Sequence, residues 1–272
     1  MNTLAYPSLG LASLKADFDR QGYCIVRALF APDEVDEIKN RFITLHAEGP
    51  VENHFSPVPE AEAQGDPLKT HPRYMQPHRI DPVSRRYLLH PGVMTVLTAL
   101  FEADPLAVQS MYYFKPPGSR GQALHQDQFY LLVEPGTCIA AWTAIDAADA
   151  DNGGMYIVPE TQEAEVVCPE AADLSESFIN HSVPIPKGKR AIEAKMQPGD
   201  TLFFNGRTIH GSGPNRSRDR WRRSFICHYV SEQTEKMSHF YFPILNRHGE
   251  VVERQKNQDG GPCGTEWAGA TH

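Results

Sequence analysis

The second half of the chain consists of short apolar segments separated by turn residues, and this pattern restricts the fold more than any other feature. Candidate strands cover 108–114, 123–132, 138–145, 154–158, 192–196, 201–204 and 222–230. Proline, glycine and asparagine mark the turns between them, at 116–118, 135–136, 152–154, 198–200 and 213–215. Many short strands joined in this way indicate a β-sandwich or barrel. There is no βαβ alternation and no glycine-rich phosphate loop, which argues against a dinucleotide-binding fold.

The first hundred residues have a different pattern, with helices around one short strand. Helices are predicted at 11–20, from residue 32 onward and at 91–102, with a strand at 23–26. Residues 50–72 are rich in Pro, Glu, Gly and His and lack periodicity, so we expect a long loop that is either mobile or a lid. The polar, glycine-rich end of the chain, from about 246 to 272, is predicted to be loosely ordered.

Composition argues against several classes of function. The 272-residue chain has a net charge of −8 and a pI of about 5.8, so it lacks the global basic field of a nucleic-acid-binding protein. No stretch approaches 18 apolar residues and the first sixteen residues do not resemble a signal peptide, so we expect no membrane association. The five cysteines are scattered and odd in number, which predicts free thiols and a cytoplasmic location.

Two histidines and one aspartate are the candidate metal ligands. His125 and Asp127 flank Gln126 in a segment of strand composition, in which alternate side chains project from the same face. His210 follows far downstream, after the turn and strand at 198–204. Two imidazoles and one carboxylate on one side of a metal leave the opposite positions open. Such a set suits a non-haem Fe(II) that must also bind a co-substrate and O2.

Several segments follow one another in the order of a known family. They are 111–117 with Lys-Pro-Pro, His125-Gln126-Asp127, Ala-Trp-Thr-Ala at 141–144, Asn-Gly-Gly at 152–154, Gly-Asp-Thr-Leu-Phe-Phe at 199–204, and His210. From about Leu14 to about Val230 the sequence resembles the phytanoyl-CoA dioxygenase family, whose members are Fe(II)- and 2-oxoglutarate-dependent oxygenases.

The resemblance implies a mainly β protein with flanking helices, built on a double-stranded β-helix, the cupin-like jelly-roll barrel. It implies a single domain over 1–272. The N-terminal helices would occupy about 10–105 and the jelly-roll core about 106–232, followed by the loosely ordered tail at about 246–272.

The resemblance also assigns roles to individual residues. His125, Asp127 and His210 map onto the iron ligands, and no catalytic side chain beyond them is expected. Asp127 predicts oxygenation rather than halogenation, because related halogenases have a small residue in its place. Arg222 occupies the position of the guanidinium that binds the far carboxylate of 2-oxoglutarate, with the adjacent Arg223 as an alternative.

Other positions carry weaker expectations. Met111, Gln126 and Trp142 match residues that line the co-substrate pocket in the family. Ser212 is a candidate hydrogen-bond partner of a ligand, with turn formation as the alternative. Seven further histidines have no partner at metal-ligand spacing and are predicted to be non-ligands: His71, His78, His90, His181, His228, His239 and His248.

The implied function is that of an oxidoreductase, a dioxygenase that uses Fe(II), 2-oxoglutarate and O2 to hydroxylate an unactivated C–H bond of a small-molecule metabolite. Desaturation, epimerisation or cyclisation in secondary metabolism, with the same cofactors, is one alternative. A non-catalytic sensor that binds metal and 2-oxoglutarate is another. The expected partner is a small-molecule substrate, with no nucleic acid and no membrane, and the oligomeric state is left open.

Overall fold

The structure is a computed structural model, and it describes residues 10–257 and residue 263. The helices are α1 (Leu11–Gln21), α2 (Pro32–Glu48), α3 (Glu60–Ala63), α4 (Pro67–Thr70), α5 (Pro82–Leu88), α6 (Pro91–Phe101) and α7 (Gln128–Leu131). The strands are β1 (Tyr23–Val26), β2 (Tyr74–Met75), β3 (Pro105–Tyr113), β4 (Gln122–His125), β5 (Ile139–Ala144), β6 (Met155–Ile157), β7 (Glu170–Ala171), β8 (His181–Ser182), β9 (Ile192–Ala194), β10 (Thr201–Asn205), β11 (His210–Ser212), β12 (Ser224–Ser231), β13 (Lys236–Ser238), β14 (Ile244–Leu245), β15 (Val251–Val252) and β16 (Gln255–Asn257).

The N-terminal helices begin and end where local chemistry favours it. Helix α1 ends at Gly22, which has a φ of 81° and donates its N–H to Phe18 O. Helix α2 begins with proline in its first turn, and the Glu34 carboxylate accepts the Ala31 N–H at 2.8 Å. Sequence analysis missed α5, whose start is capped by Asp81, a residue that accepts the Ser84 N–H at 2.7 Å.

Two antiparallel sheets form the body of the protein. The larger one has the strand order β1-β10-β5-β12-β3-β14-β15, with β2 also paired to β3. The smaller one has the order β4-β11-β6-β9. Because neighbours in both sheets come from distant parts of the sequence, the chain crosses repeatedly between them. The predicted mainly β fold with flanking helices and a jelly-roll barrel is confirmed.

Alternation along the strands of the larger sheet creates two apolar layers. On β12, Phe225 and Cys227 face the cluster formed with helices α1, α2 and α6, whereas Ile226 faces the space between the sheets. On β5, Trp142 likewise faces the space between the sheets. Both faces of the larger sheet are therefore buried, which explains why its strands have near-continuous apolar sequences. The polar side chains of the site lie within the inner layer.

Three expectations need correction. Residues 50–72 are not a structureless loop, because they contain α3 and α4 and bury Phe55, which is 1% exposed. The predicted loose tail is ordered as far as residue 257, where β16 pairs in parallel with β13. Its remainder lies outside the described residues, apart from Cys263. That cysteine is bonded to Cys168, so the prediction of free thiols throughout was wrong.

The other three cysteines, Cys24, Cys138 and Cys227, are free and buried. Within residues 10–257, every helix is too short or too polar to serve as a membrane span.

Candidate metal and co-substrate site

The paired strands β4 and β11 bring the two candidate histidine ligands together. His125 is the last residue of β4 and His210 the first of β11, and the two are direct cross-strand partners. Their ring centroids lie 4.2 Å apart and both side chains are buried. The distant histidines thus meet because of strand pairing inside the barrel.

Asp127 reaches the same point by a different route from the one predicted. The sequence analysis placed it on a strand that continued to residue 132, but β4 ends at His125. Asp127 has helical backbone angles, φ −62° and ψ −32°, and immediately precedes α7. The sharp change from strand to helical turn, rather than strand alternation, carries its carboxylate to the imidazoles.

The distances between these side chains suit a shared metal ion. Asp127 Oδ1 lies 3.6 Å from Nε2 of His125 and 3.4 Å from Nε2 of His210. Donor atoms from all three residues lie within 4.8 Å of one another. Ligand atoms on one first-row ion, each bonded at about 2.1 Å, lie roughly 3–4 Å apart. The three buried groups therefore fit one ion with small adjustments.

Hydrogen bonds to the backbone set the tautomer of both imidazoles. His125 Nδ1 lies 2.8 Å from Ala123 O, and His210 Nδ1 lies 2.8 Å from Thr208 O. A carbonyl oxygen only accepts, so each Nδ1 carries a proton, and Nε2 is the atom of each ring that faces Asp127. Such a hydrogen bond orients a histidine for metal binding through its other nitrogen. The donor set of two imidazoles and one carboxylate fits ferrous iron.

A third histidine contacts the candidate carboxylate ligand. Nε2 of His228, on β12, lies 3.0 Å from Asp127 Oδ2, and both side chains are fully buried. Sequence analysis treated His228 as a residue without a partner. The one signal in the sequence is its even spacing from Arg222 within the predicted strand at 222–230, which would place both side chains on one face.

Arg222 is a buried cation at the other end of the same cavity. Its side chain is buried, and the guanidinium lies 5.5 Å from the Trp142 ring. Nε donates to Gly153 O at 3.0 Å and Nη1 to Ser224 Oγ at 2.8 Å. Burial lowers the pKa of Arg222 to about 10, so the group remains charged at neutral pH. A buried charge of this kind is stabilised by a paired anion.

Arg223 occupies a different environment. Its Nε donates to Asp146 Oδ2 at 2.7 Å and its Nη2 to Asp146 Oδ1 at 2.8 Å, a two-point ion pair. Its guanidinium also packs 5.4 Å from the Trp221 ring. Because Asp146 holds Arg223 outside the cavity, the geometry favours Arg222 over the alternative for contact with a co-substrate.

The other predicted pocket residues divide into two groups. Trp142 and Ser212 line the cavity between His125 and Arg222. Met111 does not line it, and packs in the apolar layer between the sheets. Gln126 does not line it either, since its side chain bonds to the backbone at residues 165, 167 and 207. Their contact with a co-substrate stays a prediction from the family resemblance.

A second basic residue, Lys115, supports the wall of the cavity. Its amine donates to Ser212 Oγ at 3.0 Å and to Gly213 O. Burial, with a smaller effect of the nearby Arg222 charge, holds the pKa of Lys115 well below its usual value. Lys115 thus connects the end of β3 to the segment that follows β11, and it fixes the position of Ser212.

A separate cavity of about 220 Å³ lies beside the site and shares Tyr113 with it. Its walls include Arg73 and Phe178, which are far apart in the sequence but close in the structure. The Arg73 guanidinium donates to Tyr113 Oη at 3.3 Å and lies 5.8 Å from the Phe178 ring. Sequence analysis identified neither residue, because nothing in the local pattern links positions 73 and 178. We call this cavity the outer pocket.

The family comparison covers most of the chain. The model described as "Phytanoyl-CoA dioxygenase (PhyH)" matches residues 18–224. A probable phytanoyl-CoA dioxygenase of Caenorhabditis elegans is 28% identical over 234 residues, which are 79% of this chain and 73% of the relative. The human peroxisomal phytanoyl-CoA dioxygenase is 27% identical over 179 residues, 62% of this chain and 51% of that protein.

Solved structures share the fold at low identity. The epimerase SnoN, in complex with Fe3+, alpha-ketoglutarate and nogalamycin RO, superposes with a TM-score of 0.65 at 20% identity, over 94% of this chain and 96% of that one. The carbocyclase SnoK superposes with a TM-score of 0.64 at 19% identity, over 86% of each chain. Both support the architecture described above.

Proposed function

Since the chain belongs to the phytanoyl-CoA dioxygenase family of Fe(II)- and 2-oxoglutarate-dependent oxygenases, we propose that it hydroxylates an unactivated C–H bond of a small-molecule metabolite. One observation carries this proposal. The buried donor atoms of His125, Asp127 and His210 converge within 4.8 Å of one another. Two imidazoles and one carboxylate that meet in a buried site are the donor set that ferrous iron requires in oxygenases of this kind.

In this proposal, His125, Asp127 and His210 hold one ferrous ion on a single side. Bound there, the ion would supply the chemistry that joins O2 reduction to the oxidative decarboxylation of 2-oxoglutarate. The contribution of the chain is to orient both imidazoles through the carbonyls of Ala123 and Thr208, so that Nε2 of each ring points toward Asp127. Deep burial of all three groups keeps bulk water from the reacting centre.

Arg222 is proposed to anchor the far carboxylate of 2-oxoglutarate. A guanidinium has five N–H donors, and the described residues accept from Nε and one Nη1 donor only. The remaining donors suit a two-point contact with a planar carboxylate. Trp142 and Ser212 line the cavity between Arg222 and the histidines, where the proposal places a short dicarboxylate.

The outer pocket is the proposed substrate site. Its volume of about 220 Å³ lies below the roughly 300–1,000 Å³ of pockets for drug-sized ligands, which favours a small metabolite. Tyr113 separates it from the cavity of the metal ligands, so a substrate bound there would lie next to the reacting centre.

Release of succinate tests the proposal. Purified protein with Fe(II), ascorbate and 2-oxoglutarate should form succinate, and a metabolite library should contain compounds that accelerate it. Mass spectrometry of the accelerating compound should reveal one added oxygen atom. Loss of two hydrogens or an unchanged mass would instead favour desaturation or epimerisation, and the absence of succinate with every compound would favour a sensor.

A further inference from the structure

The two oxygens of the Asp127 carboxylate have different partners. Oδ1 faces Nε2 of His125 and of His210 at 3.6 and 3.4 Å, whereas Oδ2 lies 3.0 Å from Nε2 of His228. We propose that His228 is a positioning residue that retains Oδ2, so that Asp127 offers the metal a single oxygen. This inference rests on the proposed function and concerns how many positions on the ion remain open.

The direction of the hydrogen bond follows from the chemistry of its partners. An ionised carboxylate only accepts, so His228 Nε2 carries the proton and donates it to Oδ2. Hydrogen bonds to a charged acceptor are roughly twice as strong as neutral ones. Neither side chain is accessible to water, so no solvent molecule competes for this oxygen. A protonated Nε2 also cannot act as a metal ligand.

Retention of Oδ2 has a consequence for the co-substrate. The three residues would hold the ion and leave room on it for a chelating 2-oxo acid and for O2. A carboxylate that bound through both oxygens would take up part of that room. By holding Oδ2, His228 favours one-oxygen binding and preserves the position that the second atom of the 2-oxo acid requires.

Arg222 lies two residues before β12, the strand that carries His228, and both side chains line the same cavity together with Ile226 of that strand. This stretch of the chain thus presents the group that orients the carboxylate ligand and the group proposed to bind the far end of 2-oxoglutarate.

A matched pair of variants tests the role of the donor. His228→Gln and His228→Met have similar volume and flexibility, but only glutamine retains an N–H that can reach Oδ2. Tyr229→Phe is the control, since it removes a buried hydrogen bond on the adjacent residue, from Tyr229 Oη to Leu88 O at 2.7 Å, on the opposite face of β12. For each protein, anaerobic calorimetry measures Fe(II) affinity and then 2-oxoglutarate affinity of the Fe(II) form, and urea titration measures stability.

We expect His228→Met to weaken Fe(II) binding by about 10- to 100-fold, the range found for partners of metal ligands. Its Fe(II) form should also bind 2-oxoglutarate at least about 10-fold more weakly, while His228→Gln and Tyr229→Phe stay within about threefold of the wild type. Unchanged affinities in His228→Met would overturn the proposal. The proposal would also be overturned if a stably folded His228→Gln lost as much Fe(II) and 2-oxoglutarate affinity as His228→Met. It would likewise be overturned if His228→Met lost Fe(II) affinity but kept its affinity for 2-oxoglutarate.

A measurement on the native chain covers the case in which His228→Met does not fold. Nitrogen-15 spectra of the histidine-labelled wild type, loaded with diamagnetic Zn(II), report the protonation of each ring nitrogen. We expect His228 Nε2 to remain protonated after the metal binds, and loss of that proton would contradict the proposal. If the wild type binds neither Fe(II) nor Zn(II), the proposed function fails first, which separates the two failures.

Discussion

Replacement of Arg222 tests how the cavity selects its co-substrate. Arg222→Met removes the buried charge and keeps most of the side-chain volume, so the apolar walls around it should stay in place. The variant loses the hydrogen bonds to Gly153 O and Ser224 Oγ as well as any contact with a ligand. We therefore expect some loss of stability, which must be measured separately by urea titration.

The expected effect on 2-oxoglutarate follows from the strength of charge-assisted hydrogen bonds. Each contributes about 1.5–3 kcal/mol, so loss of a two-point contact should cost at least about 3 kcal/mol. At about 1.4 kcal/mol per factor of ten, this corresponds to a rise of about 100-fold in the KM for 2-oxoglutarate. The KM for 2-oxohexanoate should change little in Arg222→Met, because this oxo acid lacks the far carboxylate that Arg222 is proposed to bind.

The assay is the ratio of kcat/KM for 2-oxoglutarate to that for 2-oxohexanoate, measured by oxo-acid consumption. We expect this ratio to fall by about 100-fold in Arg222→Met. In Arg223→Met it should hardly change, because Arg223 is paired with Asp146 outside the cavity. If Arg222→Met keeps the wild-type ratio while Arg223→Met loses it, the assignment of the anchor is refuted.

Three further outcomes are expected. Burial lowers the pKa of His78 to about 3, so the unfolded chain binds a proton that the folded one does not. The free energy of unfolding should therefore fall by up to about 1.4 kcal/mol per pH unit below pH 6.5. Urea titrations that give the same free energy of unfolding at pH 7 and at pH 5 would contradict this prediction. Gly121→Ala places a Cβ 2.2 Å from Ser212 O and should lower the free energy of unfolding by about 1–3 kcal/mol. Gly10→Ala is the control, because its Cβ would have its nearest contact at 3.9 Å and should leave stability unchanged. Equal melting temperatures for the two variants would contradict the prediction. If residues 50–72 act as a lid, limited proteolysis there should slow when 2-oxoglutarate and substrate bind, and equal cleavage rates would count against it.

The elements of the fold that follow from local pattern were predictable from the sequence. Helix α2 buries Val35, Ile38, Phe42 and Leu45, the residues whose spacing predicted its apolar face. Strand β1 covers 23–26, as predicted. Helix α5 was missed because its seven residues are too few to repeat an apolar period, although Asp81 and the proline after it form a recognisable start signal.

The site was predictable where residue type and order carried the information. His125, Asp127 and His210 were selected from their chemistry and from the family resemblance, and the fold brings them together. The reason given for Asp127 was wrong, since period-two alternation does not continue past His125. A switch from strand to helical turn within two residues depends on tertiary contacts, such as the bond from Gln128 N to Gly206 O at 2.8 Å, which local propensity does not include.

Contacts across long sequence separations were not predictable. The bond between Cys168 and Cys263 joins residues 95 positions apart, and cysteine spacing gave no indication of it. His228 lies 101 positions from Asp127, and Arg73 meets Tyr113 across 40. In each case the two residues meet only in the folded chain, so the sequence alone does not show that they are close in space.

Anaerobic titration with Fe(II) is the most direct test of the central claim, that three buried side chains form one iron site. The wild-type protein should bind one Fe(II) per chain. His125→Ala, Asp127→Ala and His210→Ala should each lower the affinity by more than the roughly 100-fold upper limit seen for residues that only support a ligand. A wild-type chain that binds no Fe(II), or an Asp127→Ala variant that binds it as tightly as the wild type, would contradict the account.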